Sequence, residues 1–366
     1  MIFYVGTFFL ISILTLIAQY FSPENLRQIL LFLVFLILLF ILGFRNYTVG
    51  SDTPTYVNLY NSIGTFPIHW SDFFSSRFEI GFLKYLSFLH LFSTNYVIML
   101  FTSAFIFLFC WFWSIKKLST NIFLSFAIFF GLRIFTFAMT NLRQTLAMGL
   151  VLVSYLLFVK GKKFLAVIMV IIATTFHISA IVFLLYYLIS SVKLTVKVEI
   201  ALAVVTVIAL SLFQTITESF SQIFSRFESY TEAGMTQGTD KLSIVVNICI
   251  LILIFIFMQV INYSYQKNDK SLQNFDFENS YNMIIFIGIL FSIISLKFVM
   301  ISRLVYYFSM FSVFSLPNAL KKIKDKLLQS TLVIILFLFF MAYVLIIMWF
   351  RPEWNVIIPY SSSLFL

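Results

Sequence analysis

The stretch TLVIILFLFFMAYVLIIMWF, residues 331–350, decides the fold class because its twenty residues include no charged side chain. A helix that crosses a bilayer needs about 20 predominantly apolar residues, and comparable runs lie at residues 29–44, 121–139 and 244–261. Of all 366 residues, 61% are hydrophobic and 10% are charged, whereas soluble domains average about 25% charged residues. The sequence therefore predicts an all-α, polytopic integral membrane protein whose residues 1–366 form a single transmembrane domain.

The composition also excludes several kinds of site. The net charge of +10 does not indicate a nucleic-acid partner, because the basic residues lie in short clusters between apolar runs, as in orientation signals of membrane proteins. Both cysteines, Cys110 and Cys249, lie within apolar runs, where a thiol behaves as a small hydrophobe. The sequence contains no Gly-rich phosphate loop, His-Glu-x-x-His zinc motif or Gly-x-Ser-x-Gly elbow. We therefore expect no nucleic acid, no cofactor and no metal.

Lysines predict the orientation, because they are enriched on the cytoplasmic side of membrane proteins. Thirteen of the sixteen lysines fall in five clusters, which are Lys116/Lys117, Lys160/Lys162/Lys163, Lys193/Lys197, Lys267/Lys270 and Lys321/Lys322/Lys324/Lys326. If all five clusters lie inside, the parity of the apolar runs between them predicts about twelve spans, within a range of ten to fourteen. Both termini are then expected outside.

The predicted spans cover residues 2–20, 26–44, 96–115, 121–139, 142–159, 199–217, 244–263, 281–300, 303–319 and 329–350. Residues 164–190 are too short for two full spans, so we expect a short or tilted hairpin that bends at residues 176–180 near the outer leaflet. The predicted outer regions are a polar segment at 45–95 with a surface or re-entrant helix at 78–92, a loop at 218–243 and a tail at 351–366.

Arginines follow a different pattern from lysines. Only Arg27 falls inside, whereas seven arginines are predicted on or toward the outside: Arg45, Arg77, Arg133, Arg143, Arg226, Arg303 and Arg351. A guanidinium can bind phosphate or carboxylate oxygens in pairs, which would explain this placement. Alternatively, these arginines pair with lipid headgroups or with outer acids, among them Asp72, Glu218, Glu228, Glu232 and Glu353.

Three residues are candidate proton acceptors. Asp52 lies in the polar segment RNYTVGSDTPTY, residues 45–56, and is either a helix N-cap before Pro54 or a catalytic carboxylate. Glu79 is the only acid in a long apolar neighbourhood, so it is either paired with Arg77 or working as a base. His177 lies at the predicted hairpin bend and is either a structural histidine or a proton acceptor.

Candidate binding residues surround these acceptors. Arg143 begins a helix at the outer boundary with Asn141 and Gln144 beside it, and a helix N-terminus with an arginine favours anions. Arg133 is expected to face the protein interior, since lipid exposure of a charge is costly. Aromatic residues at the outer boundary are either a membrane-anchoring belt or walls that stack sugars; they are Tyr56, Tyr306, Tyr307, Trp354 and Tyr360.

These motifs resemble the EpsG family of Wzy-type polysaccharide polymerases. The matching blocks are RNYTVGSDTPTY at 45–56, FEIGF at 78–82, NLRQTLA at 141–147, FHISA at 176–180, the Ser302-Arg303 region and IIPY at 357–360. The resemblance implies a fold like that of GT-C glycosyltransferases, which use lipid-linked donors. It also implies a multi-pass protein of the bacterial cytoplasmic (inner) membrane, with its active site facing the periplasm or outside.

The reaction that the resemblance implies needs neither metal nor nucleotide. A growing glycan moves from undecaprenyl pyrophosphate onto an undecaprenyl-pyrophosphate-linked repeat unit, giving O-antigen of lipopolysaccharide, capsule or exopolysaccharide. Arg45, Arg143 and Arg303, with Arg133, would bind the pyrophosphate, and Asp52, Glu79 or His177 would accept the proton. A chain-length regulator is an implied partner. The alternatives are a lipid-linked oligosaccharide flippase, an O-antigen ligase and, less compatible with an outward-facing His177, a membrane acyltransferase.

Overall fold

The computed structural model describes residues 1–63, 78–223, 241–265, 276–354 and 356–365, and over these residues the chain is helical with one isolated β-bridge. The α-helices are α1 (Ile2–Tyr20), α2 (Glu24–Gly43), α3 (Thr53–Ser62), α4 (Ile80–His90), α5 (Val97–Leu118), α6 (Ile122–Gly131), α7 (Ile134–Thr140), α8 (Leu142–Val159), α9 (Lys163–Phe176), α10 (Leu184–Ile189), α11 (Val196–Ile223), α12 (Lys241–Tyr265), α13 (Phe277–Ser295), α14 (Ser302–Ser309), α15 (Ser312–Leu320) and α16 (Lys326–Phe350). Four 3₁₀ helices cover Ile178–Phe183, Val299–Ile301, Pro352–Trp354 and Ser363–Phe365.

Seven of the described helices are long and apolar enough to cross a membrane: α1, α2, α5, α8, α12, α13 and α16. The number rises to nine if two bent pairs are each counted as one span. The first pair is α6 and α7; the second is α14, with the 3₁₀ helix before it, and α15. The prediction of an all-α polytopic membrane protein is therefore confirmed at this level. The count of about twelve is not confirmed, since it also needs α11 and the two arms of the predicted hairpin, which are short apolar helices over Lys163–Phe176 and Ile178–Ile189.

Two predicted straight spans are bent. Between α6 and α7 the axis turns by 49°, and Arg133 at this break has a left-handed backbone with φ 59°. A left-handed residue cannot continue a right-handed helix and costs roughly 1–2 kcal/mol. Between α14 and α15 the axis turns by 41°. Both breaks leave a helix end inside the molecule, and the first places Arg133 on the wall of a cavity.

The predicted helix at 78–92 is present as α4, which is not among the candidate spans. It packs closely on α9, because a Cβ added to Gly81 would lie 2.1 Å from the Thr175 hydroxyl and 2.7 Å from the Thr175 carbonyl oxygen. Only glycine fits so close an approach of two backbones. This contact fixes Glu79, the residue before α4, beside the end of α9.

The lysine clusters beside Lys116 and Lys160 lie at the opposite ends of their helices from the candidate site residues. Lys116, near the end of α5, donates a hydrogen bond to Oε1 of Gln28 at 2.9 Å. Gln28 is near the start of α2. Arg45 follows the end of α2, roughly 25 Å from Gln28 at 1.5 Å per helical residue. In the same way α8 begins beside Arg143 and ends before Lys160.

The C-terminal tail is attached to the end of α2. Arg45 and Ser362 form the isolated β-bridge, and the Asn46 amide donates to the Ser361 carbonyl at 2.9 Å. Further hydrogen bonds run from the Ser363 amide to the Phe44 carbonyl, from the Gly50 amide to the Val356 carbonyl and from the Tyr4 hydroxyl to the Ile357 carbonyl. The first helices and the last residues of the chain are thus one structural unit.

Candidate functional site

A buried ion cluster joins three helix ends. Arg143 donates from Nη1 to Oε2 of Glu79, and Nδ1 of His177 lies 3.4 Å from Oε1 of the same carboxylate. The Ile178 amide donates to that Oε1 at 3.3 Å. All three charged or titratable side chains are buried, with side-chain exposures of 13% for Arg143, 9% for His177 and 6% for Glu79.

Each member of the cluster is placed by an irregularity of the backbone. Glu79 is the extended residue before α4, Arg143 is in the first turn of α8, and His177 is extended with φ −153° immediately after α9 ends at Phe176. The end of α9 thus falls within the predicted bend at 176–180. Because a buried carboxylate needs partners, the convergence of three helix ends provides both its cation and its amide donor.

The electrostatics of the cluster keep Glu79 ionised. Burial alone would raise the pKa of the Glu79 carboxyl, but its contact with His177 and the charge of Arg143 lower that pKa to about 2. A carboxylate with so low a pKa is a weak base at neutral pH, since general bases work best with a pKa near the operating pH. Glu79 is therefore better suited to hold Arg143 and His177 in place than to remove a proton itself.

A second feature is a cavity of about 490 Å³ at the same end of the molecule. The described residues that line it include Arg133 and Arg303, and none of them is acidic. Asn141 and several serines add uncharged polar groups, while Tyr306 and Trp354 form aromatic walls. The Tyr306 ring stacks on Phe137 at a centroid distance of 4.1 Å, which fixes its orientation. Two guanidiniums without an acidic neighbour on the wall make the cavity suited to an anion.

Helix α14 connects the cavity to the ion cluster. Arg303 of α14 lines the cavity, and its carbonyl oxygen accepts from Gln144 Nε2 of α8 at 2.6 Å. One turn later in α14, the Tyr307 hydroxyl accepts a hydrogen bond from the Ser179 hydroxyl at 3.1 Å. Ser179 is two residues after His177, so this bond links α14 to the cluster. A ligand in the cavity would therefore lie next to elements that also carry the cluster.

Tyr56 lies at the edge of the ion cluster, and Asp52 precedes it by four residues at the start of α3. Asp52 occupies the N-cap position of α3, but its side chain makes no capping hydrogen bond; the Ser51 hydroxyl donates to it at 3.3 Å. Asp52 therefore does not cap α3 through its side chain, although Pro54 does occupy the first turn of that helix. Tyr56 is 3% exposed, and its ring centroid is 5.9 Å from Cζ of Arg143. Burial raises the pKa of Tyr56, and the charge of Arg143 opposes that rise.

Arg45 and Tyr360 lie in the tail attachment and are not among the described residues that line the cavity. Arg45 is fully buried and donates from Nη1 to the Leu42 carbonyl. The Tyr360 hydroxyl donates to the Ile41 carbonyl at 3.1 Å. The Tyr360 side chain thus joins the tail to α2, whereas the Arg45 side chain bonds back to α2 and its backbone forms the bridge to Ser362. The predicted contacts of both residues with pyrophosphate and sugar stay predictions.

Sequence reasoning missed two features of the site. It offered Arg77 as the partner of Glu79, whereas the structure pairs Glu79 with Arg143, which is 64 residues away and has no spacing signal. It also left Trp354 open between an anchoring belt and a wall that stacks sugars, and it did not indicate that Trp354 and Arg133 would lie together on the cavity wall. Several residues considered above lie outside the described part of the chain: Arg77, Asp72, Arg226, Glu228, Glu232, Lys267 and Lys270.

Taken together, the helices, the cavity and the ion cluster define a polytopic membrane protein with a polar, arginine-bearing site at one end. The family model of the EpsG family matches residues 28–362. The chain belongs to the EpsG family, which indicates a role of the polysaccharide polymerase type. No curated protein and no solved structure matches the chain. The expected likeness to GT-C glycosyltransferases therefore stays a prediction.

Proposed function

We propose that this protein is a polysaccharide polymerase that transfers a growing glycan from undecaprenyl pyrophosphate onto an undecaprenyl-pyrophosphate-linked repeat unit at the outer face of a bacterial cytoplasmic membrane. The observation that carries the proposal is the cavity, whose described lining holds two arginines and no acid. Membership of the EpsG family supports it independently.

Arg303 and Arg133 are the proposed pyrophosphate ligands. Both line the cavity, and neither forms an ion pair with a described acid. Charge-assisted hydrogen bonds from guanidinium to phosphate oxygens are about twice as strong as neutral ones. They would also stabilise the negative charge that develops on the pyrophosphate as it leaves the anomeric carbon.

Arg143 has a different proposed role from the one expected for it. It is paired with Glu79, and its Cζ lies 4.9 Å from the centroid of the Phe78 ring. Replacing the carboxylate by a pyrophosphate would leave Glu79 buried without its cation, which is costly. Arg143 therefore acts as a positioning residue, which holds Glu79 and hence His177.

The acceptor hydroxyl needs a proton acceptor, for which the arrangement favours His177 and then Asp52. Since Nδ1 of His177 faces Glu79 at 3.4 Å, Nε2 is the nitrogen left for the acceptor sugar. The acceptor oxygen then bonds to the anomeric carbon, the bond from that carbon to the pyrophosphate oxygen breaks, and undecaprenyl pyrophosphate leaves. A single displacement of this kind inverts the anomeric configuration.

A flippase, unlike a polymerase, would also need substrate-binding residues at the end of the molecule that carries Lys116 and Lys160. A flippase exposes its site to both faces, whereas the candidate site residues lie together at the end away from Lys116 and Lys160. An O-antigen ligase would differ only in its acceptor. A chain-length regulator is a proposed partner of the polymerase.

The test is a charge-conserving change in the cavity. Arg303→Lys keeps the charge but loses the two-point contact with phosphate oxygens. We expect kcat/KM with a lipid-linked repeat unit to fall about 10- to 100-fold, which corresponds to the loss of one charge-assisted hydrogen bond. The matched control is Arg27→Lys, since Arg27 forms an exposed pair with Glu24 at the other end of α2. Full activity of Arg303→Lys would contradict the pyrophosphate assignment.

A further inference from the structure

The C-terminal tail brings an aromatic side chain back to the cavity. After α16 ends at Phe350, a 3₁₀ helix covers Pro352–Trp354. Trp354 then lines the cavity beside Arg133. Its position differs from that of Trp349, which lies on α16 and is 68% exposed, as expected for a tryptophan at a membrane interface.

The attachment of the tail does not depend on Trp354. Val356 and Ile357 accept hydrogen bonds from Gly50 and Tyr4, at 2.9 Å each. The residues that follow form the bridge to Arg45 described above. Because these contacts hold the tail, the position of the indole in the cavity needs another explanation.

The indole of Trp354 contacts the arginine at the break between α6 and α7. Cζ of Arg133 lies 5.0 Å from the centroid of the Trp354 ring, within the range of a cation–π contact. Arg351 approaches the same ring at 5.9 Å. Arg133 is 7% exposed, and its Nε makes no hydrogen bond to any residue that the structure describes. The indole thus packs against a buried cation, one of whose donors has no hydrogen-bond partner among the described residues.

Unusual backbone conformations occur on both sides of this contact. Among the described non-glycine residues, Arg133 with φ 59° and Val356 with φ 49° have positive φ. A β-branched residue in this region is a genuine outlier, and such strain persists only where the surrounding structure imposes it. Both the helix break and the path of the tail are therefore fixed where they bring Arg133 and Trp354 together.

We propose that the C-terminal tail completes the anion site of the cavity, with Trp354 as a positioning residue that orients the Arg133 guanidinium toward a pyrophosphate group. This inference rests on the proposed function, because it takes the lipid-linked pyrophosphate as the ligand. It assigns to the tail a part in substrate binding in addition to its attachment to α2.

The test measures binding of inorganic pyrophosphate to the purified full-length protein by calorimetry. Trp354→Leu keeps an apolar side chain but removes the aromatic face, so we expect about fivefold to tenfold weaker binding, in the range of a buried cation–π contact. Trp354→Phe keeps a ring and is expected to retain most of the affinity. Trp349→Leu is the control for loss of a tryptophan, and thermal unfolding of each variant checks that it folds.

A double-mutant cycle separates positioning from direct contact. If Trp354 acts through Arg133, Trp354→Leu has no further effect in an Arg133→Gln background. Wild-type affinity in Trp354→Leu, or effects of the two changes that simply add, would overturn the inference while leaving the polymerase proposal intact. A wild-type protein that does not bind pyrophosphate but elongates a lipid-linked glycan would also overturn it. Absence of both binding and elongation would remove the proposed function itself.

Discussion

At the scale of single residues, the central feature is a carboxylate with two side-chain partners. Glu79 contacts Arg143 and His177 at once, so its charge is compensated and its geometry is fixed from two sides. Removing one member of a buried ion pair leaves an uncompensated charge, whereas an exposed pair contributes little. The cluster is therefore both a stabilising contact and the support for the candidate proton acceptor.

We predict that Glu79→Gln lowers the free energy of unfolding by about 3–5 kcal/mol, because Arg143 then stays buried without a counter-charge. The measurement is chemical unfolding in detergent micelles. Glu79→Gln combined with Arg143→Gln should recover part of the loss, since the two changes are coupled. The control is Glu24→Gln in the exposed pair with Arg27, where we expect a change of about 0–1 kcal/mol. Equal effects in the two pairs would show that the cluster is not a buried ion pair.

A second prediction concerns Gly50, which joins the polar loop to α7. Its φ is +98°, and an added Cβ would lie 2.1 Å from the Met139 carbonyl oxygen. Gly50→Ala must therefore move the backbone, and we expect loss of most folded protein, measured as the monodisperse fraction after purification. Gly161→Ala is the matched control, because Gly161 has φ +78° but open space around it; it should cost only about 1–2 kcal/mol. Equal yields for the two variants would contradict this packing.

The residue types in the sequence indicated which side chains belong to the site, but not which of them contact each other. The isolated acid Glu79 and the lone His177 were recognisable because charged and titratable groups are expensive in an apolar sequence. Their pairing was not recognisable, since it depends on how α4, α8 and α9 pack. The same applies to Arg45, whose burial in the tail attachment follows from residues more than 300 positions later.

At the scale of elements, the long helices were predictable because a segment that crosses a lipid bilayer must be apolar over about 20 residues. Uninterrupted apolar runs such as 331–350 correspond closely to helices such as α16, because a spanning helix must satisfy its backbone internally. The bends did not follow from the sequence. Arginine is not a residue type that favours the left-handed region, so nothing in the sequence indicated that Arg133 would have a φ of 59°.

The opposed ends of the helices give a prediction for topology. In a protein with Cys249 replaced, we expect Tyr47→Cys to react with a membrane-impermeant thiol reagent added outside intact cells, since Tyr47 is exposed at the end of α2 that bears Arg45. Lys117→Cys should react only after the membrane is opened, because Lys117 is in the last turn of α5 next to Lys116, which contacts Gln28 at the other end of α2. The opposite labelling pattern would invert the proposed orientation and move the site to the cytoplasm.

At the scale of the whole molecule, the two ends have distinct chemistry. One end carries the lysine clusters of the described residues, with pairs such as Lys322 and Glu278, and the other carries the cavity, the ion cluster and the tail. Lysine clusters at one end are what the orientation rule gives for a multi-pass protein, and a polar site at the other end suits a reaction at one face of the membrane. The family assignment and the geometry thus support the same kind of reaction.

The most direct test of this account is to incubate the purified protein with a synthetic undecaprenyl-pyrophosphate repeat unit, without nucleotide sugar, and to measure both glycan length and released undecaprenyl pyrophosphate. We predict a ladder of products, with one undecaprenyl pyrophosphate released for each glycosidic bond formed. Movement of the lipid across liposomes without any elongation, or elongation without release of undecaprenyl pyrophosphate, would contradict the proposed function.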